Sequence, residues 1–137
     1  MHVHPYLNFN GNCEKAFKFY ENCLGAKILM MMPHTGSPIE KMVPPEWGDK
    51  ILHASLKIGD TMLFASDAPS NRYNKPTGFF VSLQIENTDE AERIFSELSM
   101  GGQVHMDLQE TFWALRFAMF NDRFGTPWMI NCEKPMP

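Results

Sequence analysis

Cysteine is scarce in this chain, with three in 137 residues, and no two of them take the CxxC spacing of a zinc or redox site. Cys13 and Cys23 fall on one expected helix, where a rise of about 1.5 Å per residue holds them roughly 15 Å apart, beyond the disulfide limit of about 7 Å. The thiols therefore read as buried core groups in a reducing compartment. Basic residues are the minority too, 12 Lys and Arg against 16 Asp and Glu, for a formal charge of −4. Without a basic stripe, the chain offers no footprint for nucleic acid or an anionic membrane, and a small ligand of neutral or mixed polarity is the expected partner. Long apolar runs are missing as well: ILMMM at 28–32 is the longest, far short of the about 20 residues of a membrane span. The opening MHVHPYLNF carries neither a basic n-region nor an apolar h-region. The expectation is a soluble, cytoplasmic protein. No GxGxxG, GxxxxGK[ST] or GxSxG occurs, so nucleotide cradling and the nucleophile-elbow hydrolases lack their required backbone.

What is present fits one domain with a real core. Residues 3–9 (VHPYLNF) alternate Leu7 and Phe9 with Tyr6 and Asn8, the period of a strand with one apolar face. Asn12 is placed to cap a helix over NCEKAFKFYENCLG, in which Cys13, Ala16, Phe17, Tyr20 and Leu24 recur at helical spacing and Gly25 takes the C-terminal position that tolerates φ > 0. A strand at 26–32 follows, then a Pro- and Gly-bearing segment at 33–50 that reads as a long mobile loop and candidate lid. Strands at 51–58 and 61–66 joined by Gly59-Asp60 make a hairpin.

The second half repeats the first. After a linker at 68–77, FFVSLQIE (79–86) is a strand and NTDEAERIFSELSMGG a capped helix with Ala91, Ile94, Phe95 and Leu98 on one face. Strand candidates at 103–108, 112–120 and 127–132 follow. The order is βαβββ twice, module one at 1–67 and module two at 78–137, an α+β chain. One face of each sheet must lie under its helix, using Leu7, Phe9, Val81, Leu83 and Ile85. The opposite faces are then left to meet in a shared cup, and a cup is where ligands bind by default. Pleat alternation puts Tyr6, Asn8, Phe80, Ser82 and Gln84 on that side.

The stretches PYLNFNGNCEKAFKFYENCLGA, HASLKIGDTMLFASD and QETFWALRFAMFNDRFGTPWMIN make the chain resemble the vicinal oxygen chelate superfamily, which includes glyoxalase I, bleomycin-resistance proteins and extradiol dioxygenases. Within it the chain looks like the PhnB-like branch. The resemblance covers essentially the whole sequence and implies paired βαβββ modules in a cup-shaped, partly open barrel, commonly in a homodimer. Some members of the branch are labelled methyltransferases of a demethylated ubiquinone. The missing glycine-rich strand-to-helix loop argues against carrying that label here.

Metal-dependent members place one ligand on the first and one on the last strand of each module. Carried over, those positions fall near His4, at Leu63 or Phe64, at Phe80 and at Met129. Phe and Leu have no lone pair to give, and a thioether suits soft metals rather than hard or borderline ions. One position in four can ligate, so no metal cofactor is expected, with a divalent metal held by His4, His53 and Glu110 as the alternative.

Other polar groups carry two readings each. His53 is a satisfied strand histidine or a ligand; His2, His4 and His34 are solvated groups of the terminus and loop. Glu110, beside Phe112 and Trp113, is a water-exposed turn carboxylate or, if the aromatics desolvate it, a general acid or base with a raised pKa. Asp67 is a ligand contact or an Asx-type turn residue. Trp113 stacks on a ligand or belongs to the core or a dimer interface, and Met129 lines the cup. The favoured function is binding of a small organic molecule in the cup. The alternative is an enzyme of the lyase, isomerase or dioxygenase type, metal-dependent or using Glu110.

Overall fold

The computed structural model describes residues 1–135. The chain divides into two compact units, with the boundary between Asn74 and Lys75. The first runs β1 (Tyr6–Phe9), α1 (Cys13–Leu24), β2 (Lys27–Pro33), β3 (Ile51–Ile58) and β4 (Thr61–Asp67). The second runs β5 (Val81–Gln84), α2 (Thr88–Leu98), β6 (Gln103–Gln109), β7 (Ala114–Asn121) and β8 (Pro127–Glu133). The α+β class and the doubled βαβββ order read from the sequence are what the structure shows.

Each unit holds one four-stranded mixed sheet, in the order β1-β4-β3-β2 and β5-β8-β7-β6. The first and last strands pair parallel, Leu7 against Ala65 and Leu83 against Ile130, and the remaining pairs are antiparallel. The repeat extends to an irregularity. Between Ile28 and Met30 the partners on β3 advance by one residue, from Leu56 to Ser55, so Leu29 is an extra, bulged residue. Between Val104 and Met106 the partners on β7 advance from Phe120 to Met119, so His105 is bulged at the corresponding place.

Helix α1 buries Ala16, Phe17, Tyr20 and Cys23 against Leu7, Phe9, Leu56 and Leu63, with Phe9 edge-on to Phe17 at 6.3 Å between ring centroids. Truncating such a ring costs about 3–5 kcal/mol. Gly25 closes the helix at φ +62° in the left-handed region, as its position in the sequence implied. In the second unit Ala91, Ile94 and Leu98 of α2 are buried with Phe120, Trp128 and Ile130 of the sheet, and Phe95 meets Phe120 edge-on at 5.5 Å.

Several boundaries differ from the sequence reading, each for a local reason. β1 starts at Tyr6 rather than residue 3, since Pro5 has no N–H to give the ladder, although its carbonyl accepts the Phe64 N–H at 3.0 Å. β7 starts at Ala114 rather than 112 because Thr111 closes a turn, its Oγ1 accepting the Ala114 N–H at 3.0 Å. The expected cap of α1 is also corrected. The Asn12 side chain makes no capping bond, while Asn87 does cap α2, accepting the Glu90 N–H at 2.6 Å. The 33–50 loop contains two short 3₁₀ turns, Glu40–Met42 and Pro45–Trp47. Its neck is bonded shut by His34 N to Lys50 O at 3.0 Å and Thr35 N to Gly48 O at 2.9 Å.

Candidate functional site

The sheet face away from the helix is the candidate surface in each unit. In the first unit, register sets Tyr6 beside Phe64 and Phe64 beside Ser55. Leu63 is 1 % exposed and faces the helix, so Phe64 is the open-face residue of β4. Around it the fold gathers what the sequence separates. His53 stacks on Phe64 at 5.6 Å, and His4 meets the same ring edge-on at 5.5 Å. The Tyr6 hydroxyl lies 3.3 Å from His53 Nδ1, and beside it Ser66 Oγ donates to Asn8 Oδ1 at 3.4 Å. Two imidazoles and a phenol thus border one aromatic ring with an amide on the same face, a surface suited to stacking and hydrogen bonding.

In the second unit a polar ladder crosses β5 and β8. Gln84 Nε2 donates to Ser82 Oγ at 3.1 Å. Asn131 Nδ2 donates to Gln84 Oε1 at 3.0 Å and to Glu133 Oε1 at 3.3 Å. Met129 lies between the register partners Ser82 and Met119 and is half-buried. Trp113 is exposed and packs edge-on against Phe117 at 5.1 Å and against Phe112, which is 90 % exposed, at 4.8 Å. Phe80 precedes β5 and helps line a cavity of about 350 Å³.

Three expectations need correction. Glu110 is not desolvated by its aromatic neighbours: its side chain is 62 % exposed and pairs with Lys134 Nζ at 2.9 Å. The hydrogen bond and charge of Lys134 hold its carboxyl below the usual carboxylate value, the opposite of the raised pKa that acid–base work at neutral pH needs. Asp67 is 6 % exposed rather than an open turn residue. Its two oxygens are taken by backbone donors, Cys13 N at 3.0 Å and Ile51 N at 2.8 Å. His34 is buried, not solvated, with Nδ1 2.9 Å from the Lys50 carbonyl oxygen.

At the four positions that the resemblance implied for metal ligands stand His4, Phe64, Phe80 and Met129, and of these the imidazole alone is an ordinary donor for a divalent ion. Among the described residues no three His, Cys, Asp or Glu side chains form a group able to hold a metal ion. Sequence reasoning missed Asn131, the centre of the polar ladder, and His105, whose Nε2 lies 3.0 Å from Asn121 Oδ1. Alternation along β8 nominates Asn131 once Met129 is on the open face. His105 is hidden by the bulge, which breaks the period-two pattern.

The family model of the Glyoxalase/Bleomycin resistance protein/Dioxygenase superfamily matches residues 2–130. Protein YjdN of Escherichia coli is 35% identical over 145 residues, spanning 100% of this chain and 99% of that one. Among solved structures, protein PA1353 from Pseudomonas aeruginosa superposes with a TM-score of 0.87 at 44% identity, covering 98% of this chain and 99% of its own. A PhnB protein from Bacillus cereus gives 0.82 at 18% identity over 96% and 99% of the two chains, a likeness of fold.

Proposed function

The chain belongs to the glyoxalase/bleomycin resistance/dioxygenase superfamily, and from that membership we propose that it binds a small organic molecule on the open face of a sheet without a divalent metal. One observation carries the reading. The positions that would present metal ligands hold Phe64, Phe80 and Met129, and the first of these rings is bordered by Tyr6, His4 and His53 at stacking and hydrogen-bonding distances. Aromatic surface with a few directional polar groups is the make-up of small-molecule sites. In this reading Asn8 supplies a further polar contact on the first sheet, and Ser82, Gln84 and Trp113 supply polar and stacking contacts on the second. Asp67 does not, because both its oxygens already accept backbone bonds. Glu110 receives no catalytic role, since an exposed carboxylate paired with Lys134 is ionised at neutral pH. The same reading makes the protein a homodimer, supported by exposed Leu29, Met30 and Met32 along β2, and sets it in the reducing cytoplasm, supported by three cysteines with no disulfide among them.

Elemental analysis of protein purified without chelator tests the metal-free claim. Metal well below one equivalent per chain, and a melting temperature unmoved by chelator, are expected; a stoichiometric divalent ion would replace this reading with a metalloenzyme. A thermal-shift screen of small organic molecules tests binding itself. Light scattering should give twice the 15.8 kDa of one chain.

A further inference from the structure

One end of the second sheet is built as a pocket of a single charge sign. Gln103, Asn121 and Pro127 are register partners across β6, β7 and β8, and Phe80 continues that row ahead of β5. Together with Lys75 and Phe79 they line the cavity of about 350 Å³, within the size range of small-molecule sites. No Asp or Glu is among its lining residues, although acidic groups outnumber basic ones in the chain. Three other cavities all carry carboxylates: Glu14, Asp49 and Asp67 in one, Glu86 and Glu133 in a second, Glu14 and Asp49 in a third. Lys75 has no ion-pair partner among the described residues.

The bulge supplies the second feature. In the first unit the extra residue is Leu29, in the second His105, so the backbone device is common to both units and the imidazole is specific to one. Bulges re-aim a side chain, and here the result is His105 Nε2 at 3.0 Å from Asn121 Oδ1. An amide oxygen only accepts, so Nε2 carries the proton and donates. With its oxygen fixed by His105, Asn121 keeps its two amide N–H groups for another acceptor. Cation, oriented amide donors and two phenyl rings then line one space.

We propose that this cavity binds a small aromatic carboxylate, its carboxylate against Lys75 and the Asn121 amide, its ring against Phe79 and Phe80. Charge-assisted bonds of this kind are the stronger ones and distinguish an anion from its neutral analogue. His105 is a positioning residue that holds the amide in its donating orientation. This inference rests on the reading of the chain as a small-molecule binder and names the ligand class for one of its sites.

The test is titration calorimetry with benzoate, benzamide and benzylamine at equal ionic strength. Benzoate should bind about tenfold tighter than benzamide, and benzylamine weaker than both, as expected for one charge-assisted contact at a partly exposed site. Lys75→Ala should bring benzoate to the level of benzamide while leaving benzamide unchanged, and Lys75→Arg should restore most of the difference. His105→Leu, which places in the second bulge the residue found in the first, should narrow the benzoate preference about threefold with the fold intact, on the scale of one hydrogen bond. Benzamide or benzylamine binding as well as benzoate, Lys75→Ala leaving benzoate unaffected, or no benzoate binding at millimolar concentration would each overturn the proposal. A thermal-shift library yielding neutral or cationic ligands without aromatic anions would remove this inference and keep the binding function. A library yielding no ligand would remove both.

Discussion

Asp67, the last residue of β4, accepts the backbone N–H of Cys13 at 3.0 Å and so caps a helix that begins 54 residues earlier. Its second oxygen accepts the Ile51 N–H at 2.8 Å, tying the start of β3 to the same carboxylate. Asp67→Ala leaves two buried donors without partners and should cost about 3 kcal/mol, combining a lost cap with buried unsatisfied N–H groups. Asp67→Asn keeps an acceptor for one of the two and should lose less. Urea denaturation followed by circular dichroism reads both values. A loss under about 0.5 kcal/mol for the alanine variant, the range of a neutral surface change, would show that the helix start is capped by something else.

The carboxylate also bears on the neighbouring thiol. Burial foremost, then the charges of Asp67 and Glu14, push Cys13 far above the usual thiol range. Cys23 and Cys132 are buried as well, and neither is in a disulfide. No cysteine should therefore react with iodoacetamide in the native protein up to about pH 9, just above an ordinary thiol pKa of about 8.5, whereas all three should react once the chain is denatured. Mass spectrometry after timed alkylation distinguishes the outcomes, and fast native labelling of Cys13 would contradict its burial.

Glu110 offers a pH signature of the opposite sign. Lys134 lowers its folded pKa, so any stabilisation from the pair is present above the unfolded carboxylate value and is lost as pH falls through the lowered folded value. Because Glu110 is exposed, its effect on stability is small. The measurable quantity is the titration midpoint of its side-chain carboxyl by NMR. It should lie below that of a free glutamate and return towards the ordinary value in Lys134→Gln. A midpoint above the ordinary value would restore the acid–base candidate that the sequence suggested.

Glycine at 102 is required by space rather than by dihedral angles. A Cβ there would run into the Asn121 carbonyl oxygen and the Asp122 backbone, the first of these held in place by the β6–β7 pairing. Gly102→Ala should destabilise by about 1–3 kcal/mol, the cost of an overpacked site, and should disturb the neighbouring Asn121–His105 contact. The chemical shift of the His105 ring protons reports that disturbance.

Local signals were legible in the sequence and distant ones were not. The spacing of Ala16, Phe17 and Tyr20 with Gly25 behind them places α1 because a helix and its cap are decided by neighbours within a few residues. β3 at Ile51–Ile58 is read equally well, its hairpin turn lying in the adjacent residues. The doubled βαβββ order follows from two such series and brings the open-face residues Tyr6, Ser82 and Gln84 with it. Asp67, by contrast, is recognisable as a cap only after β4 has paired with β1 and returned to the helix start. Lys134 reaches Glu110 only through the turn at Thr111–Ala114 and the end of β8. His105 leaves the alternation of its strand through the bulge, so periodicity gives it no face at all.

Asp122 shows how much one buried carboxylate organises between β7 and β8. It is 3 % exposed, and one oxygen accepts the N–H groups of Phe124 at 2.8 Å and Thr126 at 3.1 Å. The other accepts the indole Nε1–H of Trp128 at 2.8 Å, satisfying the one polar atom of a ring that is otherwise wholly buried. Asp122→Ala removes the acceptor for three donors at once. Buried unsatisfied donors cost about 1–3 kcal/mol apiece and do not simply add, so a loss of roughly 3 kcal/mol or more is expected. Asp122→Asn keeps an acceptor for either the turn or the indole and should fall between. The near-ultraviolet circular dichroism of Trp128 separates the two effects, because loosening the indole flattens its signal even when the far-ultraviolet spectrum is unchanged. If the alanine variant keeps both its stability and that signal, the turn is held by the β7–β8 ladder alone and the carboxylate is dispensable.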